Sequence, residues 1–185
     1  MEEKETVRET VMENDCNFVS VSPALMALPY PPVRVREENR EYADLLSNDY
    51  CGTVSEMSAI TQYINNENRM TATQCPLAKT ILGIAMAEMI HLQKLGQLIF
   101  LLGGEVDFTA RHQNGKQEMW SPSFISIPQN VNQMIWADID AERAAIHQYK
   151  VHMNRIRDDY VNAMLMRIIQ DEEYHIMMLQ ALLEH

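Results

Sequence analysis

The feature that most constrains this chain is a charged layer set into four otherwise apolar helical seams. Four segments carry apolar residues at helical spacing: about 42–66, about 76–103, about 129–156, and from Asp158-Asp159 to the C-terminal end. Each seam is interrupted at its middle. The first carries Glu56 alone, the second Glu88-Met89-Ile90-His91, the third Glu142 alone, and the fourth Glu172-Glu173-Tyr174-His175. Residues three apart share a helical face one turn apart, so each Glu-x-x-His pair points to one side. Burying four carboxylates unpaired costs several kcal/mol each, and cations must offset it. The spacing predicts an all-α antiparallel four-helix bundle over residues 41–185. Glu56, Glu88, His91, Glu142, Glu172 and His175 should then hold two metal ions. Oxygen-rich ligands with one imidazole per ion suit manganese or iron. The Glu of each Glu-x-x-His pair, Glu88 and Glu172, is the natural bridge, and Glu56 and Glu142 are natural terminal ligands.

The boundaries come from local chemistry. Residues 1–40 are polar and interrupted by Pro23, Pro29, Pro31 and Pro32, which predicts an extended N-terminal arm with a mobile tip. The Asn65-Asn66-Glu67-Asn68 cluster is expected to end the first helix. Pro76 favours a helical first turn and Gly103-Gly104 a helix end. Residues 104–127 read as one long irregular crossover between the second and third helices. Asp158-Asp159 can cap the fourth.

Composition narrows the class. Among 185 residues, 26 acidic against 15 basic give a net charge of −11, which argues against nucleic acid or an anionic membrane surface as partner. Cys16, Cys51 and Cys75 form no CxxC pair and are expected to be free thiols in a reducing compartment. The acidic start, Met1-Glu2-Glu3-Lys4-Glu5, is unlike a signal peptide. The apolar run at Leu98–Leu102 falls far short of a membrane span, which takes about 20 residues. A cytoplasmic homo-oligomer is expected. Tyr63 and Tyr149, each seven residues after a lone Glu, share its face and can reach a ligand or a bound oxygen species, although packing is the commoner role of a buried tyrosine. His112, His147 and His152 are expected on the surface, and Glu173 off the seam. Asp138, one turn before Glu142, is a spare carboxylate.

The ligand pattern resembles the ferritin-like dinuclear carboxylate proteins. Asp49-Tyr50-Cys51-Gly52-Thr53-Val54-Ser55-Glu56 with Ile60 and Tyr63 is similar to the first-helix stretch of manganese catalases and their spore-coat relatives. Ala87-Glu88-Met89-Ile90-His91-Leu92 is similar to their second-helix Glu-Glu-x-x-His stretch, with Ala87 in place of the first Glu. Tyr30-Pro31-Pro32-Val33-Arg34-Val35 resembles their arm, and Trp120 and Ile125 lie in a similar crossover. Rubrerythrins share the ligands but usually add a Glu, where this chain has Ala145. The resemblance implies hydrogen peroxide or dioxygen as substrate and catalase-like disproportionation, and, because manganese catalases can use the second Glu-x-x-His glutamate as an outer partner instead of a ligand, it makes Glu172 the least certain of the six. A rubrerythrin-like peroxidase with a separate electron donor, a ferroxidase or iron-storage protein, and a structural spore-coat protein are the alternatives. The absence of a Cys-rich iron module favours a reaction that needs no donor.

Overall fold

In a computed structural model, which describes Cys16, Phe18 and residues 20–184, the chain forms five α-helices and a short hairpin. Expectations for the first fifteen residues, including the arm's tip, lie outside the described residues. The helices are α1 (Arg40–Cys51), α2 (Glu56–Met70), α3 (Cys75–Leu101), α4 (Val131–Met153) and α5 (Asp159–Leu183). They make four rods, because α1 and α2 together form the first. α2 pairs with α3, and α4 with α5.

The continuous first helix expected over 42–66 is broken. At the break Gly52 is extended, and Ser55 caps α2 by accepting from the Ser58 amide. The hydroxyls of Ser55 and Ser58 both donate to the Gly52 carbonyl, at 2.7 and 3.1 Å. These local bonds compete with the helical ladder, and they place Glu56 at the first residue of a new helix. The asparagine cluster does not end α2 at 66. Asn66 and Glu67 face inward, and the helix runs on to Met70.

The other ends follow their residues. Asn39, Asn130 and Asp158 cap α1, α4 and α5 with their side chains, and Pro76 lies in the first turn of α3. After α3, Gly103 takes a left-handed conformation, φ +76°, which favours glycine. The crossover is more ordered than expected. It holds an antiparallel hairpin, β1 (Thr109–Arg111) with β2 (Gln117–Met119), docked on α1 through Arg111 and Ser47, and a 3-10 turn at Pro122–Phe124.

The core lies in two apolar halves. One gathers Leu46, Leu95, Leu98, Ile156, Leu165 and Ile168. The other gathers Met70, Ile81, Ile84, Ile135, Ile139 and Leu179. Each such side chain stabilises by about 1.5–3 kcal/mol when fully buried. Along α3, Glu88 and His91 fall between Ile84 and Leu95; along α5, Glu172 and His175 fall between Ile168 and Leu179. The charged layer is sandwiched between the halves. α3 as a whole has the length and apolarity of a membrane span, yet it packs in the bundle and carries two buried polar groups of that layer.

Where α3 turns into the crossover the backbone is tight against α1. A Cβ on Gly104 would lie 2.6 Å from Ala43 Cβ and 2.9 Å from Ile99 Cγ2. We expect Gly104→Ala to cost about 1–3 kcal/mol by overpacking, read as a lowered midpoint in chemical denaturation. An unchanged midpoint would contradict this packing.

Candidate metal centre

All six residues singled out by the seam pattern converge at one level of the bundle. Ligand atoms of Glu56, Glu88, His91 and Glu172 lie within 4.8 Å of one another, and so do those of Glu88, Glu142, Glu172 and His175. Glu88 and Glu172 belong to both groups. His91 Nδ1 is 2.8 Å from Glu88 Oε2, 3.2 Å from Glu172 Oε1 and 3.6 Å from Glu56 Oε2. His175 Nδ1 is 3.0 Å from Glu88 Oε1, 3.1 Å from Glu172 Oε2 and 3.4 Å from Glu142 Oε1. The two halves are therefore alike, and Glu172 occupies the same shared position as Glu88.

The tyrosines extend this likeness. Tyr149 donates to Glu56, and Tyr63 donates to Glu142. Each tyrosine lies seven residues after one lone Glu but bonds the other, across the bundle. Both do more than pack. Burial first, then the carboxylate each one bonds, pushes both phenols well above their ordinary value, so they stay protonated and donate.

Other residues need correcting. His152 is buried, not on the surface, and its Nδ1 lies 2.8 Å from Asp49 Oδ2. Its partner sits on another helix, which spacing along α4 cannot reveal. Asp138 is buried but turned to Asn66, whose amide donates to both carboxylate oxygens at 2.9 and 3.0 Å. Burial raises Asp138 to about 7 against the bonds from Asn66 and Gln62. Glu173 is exposed, as expected. Asp171, which the seam pattern overlooked, lies 3.2 Å from His91 Nε2. The available signal was its place directly before Glu172.

The centre is fully buried, so its charges are set by one another. Burial, then repulsion from Glu88 and Glu172, pushes Glu56 and Glu142 well above the ordinary carboxyl range. Burial opposes ionisation of Glu88 and Glu172 too, but the imidazoles outweigh it and hold both below that range. Burial likewise disfavours the imidazolium forms of His91 and His175, and the surrounding carboxylates override it and raise both well above the ordinary value. Without a metal, this layer approaches neutrality by holding protons. The donor set fits a pair of cations. Four carboxylates balance two divalent ions when both imidazoles are neutral, and Glu88 Oε1 and Glu172 Oε1 are buried, each beside an imidazole Nδ1, at 3.0 and 3.2 Å.

The two faces of the centre differ. On the carboxylate side a cavity of about 250 Å³ reaches Glu56, Glu88, Glu142 and Glu172, walled by Ala59, Ala137, Ala141 and Ala145. The crossover roofs it: Trp120 Nε1 donates to Ser58 Oγ at 3.0 Å, and the Ser126 amide to Gln62 Oε1 at 2.7 Å. The imidazole side is closed by residues 24–30 and Asp171.

The family model described as Rubrerythrin matches residues 52–183. The chain is 24% identical over 160 residues to a probable manganese catalase of Clostridium acetobutylicum, covering 77% of this chain and 70% of that protein. KatB, a manganese catalase from Anabaena PCC7120, superposes with a TM-score of 0.73 at 23% identity, over 86% of this chain and 78% of that one. The bacterioferritin BfrA of Mycobacterium tuberculosis superposes with a TM-score of 0.63 at 24% identity, over 80% and 87%. These structural likenesses show a shared fold.

Metal and protons should compete for the same atoms. Loading two divalent ions is expected to release up to about four protons per chain, and affinity should weaken as pH falls, because metal must displace protons held above their ordinary values. Calorimetry of manganese binding in buffers of different ionisation enthalpy measures this. Heats that do not depend on the buffer would contradict it.

Proposed function

The chain belongs to the rubrerythrin family, within the ferritin-like superfamily, and from that premise we propose that it binds two manganese or iron ions and disproportionates hydrogen peroxide. Glu56, Glu88, His91, Glu142, Glu172 and His175 hold the ions. When bound, such a pair supplies the two-electron exchange by which one peroxide is reduced to water and another oxidised to dioxygen. The observation that carries the reading is the duplicated ligand set facing a small walled cavity.

The chain's own groups give the site its selectivity. Alanine walls leave room beside the four carboxylates for a small molecule. Tyr149 and Tyr63 fix the orientation of Glu56 and Glu142. These two carboxylates border the cavity, so a small molecule held there lies directly against them. Residues on the opposite side keep solvent from the imidazoles. Two peroxides yield two waters and one dioxygen, so no external donor is required.

The full chain, loaded with manganese or iron, is expected to evolve oxygen from hydrogen peroxide without added reductant, as read by an oxygen electrode. Glu88→Ala should lose both metals and fall to background, since it removes a carboxylate shared by both groups. Glu173→Ala should retain both metals and full turnover. Oxygen evolution no higher than that of Glu88→Ala from both loaded forms would overturn the disproportionation reading. Iron accumulation with dioxygen uptake would replace it with iron oxidation.

A further inference from the structure

We propose that residues 20–39 form a strap that positions both imidazoles of the centre and so governs how long metal stays bound, and that a Cys16–Cys75 disulfide tightens this strap. The inference rests on the metal-centre reading above.

Both histidines turn Nδ1 to the centre and Nε2 outward. His175 Nε2 lies 2.8 Å from the Ala24 carbonyl. A carbonyl only accepts, so Nε2 carries the proton and the Nδ1 lone pair is left for a metal. His91 Nε2 faces Asp171, and the strap holds Asp171 in turn. Asp171 accepts from the Met26 amide at 2.8 Å and from Tyr30 Oη at 2.5 Å. Arg167 Nη1 lies 2.7 Å from the same carboxylate, Arg167 Nη2 donates to the Met26 and Leu28 carbonyls at 2.9 Å, and its guanidinium lies 4.5 Å above the Tyr30 ring. Outer partners of this kind fix ring orientation and ligand basicity, and their loss typically weakens metal binding about 10–100-fold.

The strap has no helix or strand over residues 20–39, so its order depends on a few ties. One is the Ala24 amide donating to the Gly83 carbonyl at 2.8 Å. Glycine permits that approach, since a Cβ there would lie 3.1 Å from the Ser22 carbonyl oxygen. Another is the disulfide from Cys16 to Cys75, the first residue of α3. This overturns the expectation that all three cysteines are free thiols. The pair is 59 residues apart in sequence, so spacing gives no sign that the arm folds back. Cys51 alone remains a free thiol among the described residues. A covalent tether eight residues before Ala24 raises the effective concentration of the strap at its seat. Disulfides persist in oxidising surroundings and are reduced in others, which makes this tie a variable one.

The test uses the full chain loaded with manganese, with loss to excess chelator followed in time. A water-soluble phosphine serves as reductant: it is oxidised to its oxide with oxygen from water, and each sulfur gains a proton as the S–S bond breaks. Thiol labelling in denaturant fixes the state, one reactive thiol when oxidised and three when reduced. The reduced chain and a Cys75→Ser variant are expected to lose manganese roughly tenfold faster than the oxidised chain. Tyr30→Phe should speed loss in both redox states while leaving unfolding of the metal-free chain unchanged, which separates positioning from general stability. Equal release from oxidised, reduced and Tyr30→Phe proteins that each bind two ions would overturn the strap and leave the proposed function standing. Three reactive thiols under air would overturn the disulfide's part. A wild-type chain that takes up no manganese overturns both.

Discussion

Four carboxylates buried at one level of an apolar bundle are the constraint on which the rest of this structure depends. Isolated charges cannot remain in such a layer without counter-charge. The chain meets the demand with two imidazoles, two tyrosine donors and a geometry that leaves carboxylate oxygens turned to one centre. The two apolar halves above and below keep water out and keep the groups close. Stability and chemistry are thereby coupled: what makes the layer costly without cations makes it bind them.

The centre is close to two-fold in its ligands but not in its surroundings. Glu56, His91 and Tyr149 mirror Glu142, His175 and Tyr63. Beyond them, His91 leans on a carboxylate and His175 on a backbone carbonyl. Burial opposes ionisation of Asp171, yet bonds from His91, Arg167, Tyr30 and the Met26 amide hold it at about 2, so His91 faces a true anion. The corresponding position before Glu88 is Ala87, which has no side-chain acceptor. Access is equally one-sided, with the cavity at the carboxylates and the strap at the imidazoles.

The legible parts were those governed by periodicity and by the cost of burial. Glu88 with His91 and Glu172 with His175 stood out because a helical face exposes them together, and because nothing solvated belongs between Ile84 and Leu95 or between Ile168 and Leu179. The illegible parts were set by partners far apart in sequence. The Ser55 and Ser58 bonds that break the first rod look like ordinary helix chemistry until their acceptor is known. The role of Ala24 belongs to its carbonyl, which every residue has. Asp49 and His152 reveal each other only once α1 meets α4. Tyr63 and Tyr149 had a visible spacing, but each bonds the glutamate of the other helix pair.

The central claim is that two cations sit between these six side chains. Anomalous diffraction at the manganese edge, on crystals of the manganese-loaded full chain, tests it most directly. The account predicts two peaks per chain, one among Glu56, Glu88, His91 and Glu172 and one among Glu88, Glu142, Glu172 and His175. A single peak, or peaks only at surface carboxylates, would contradict it.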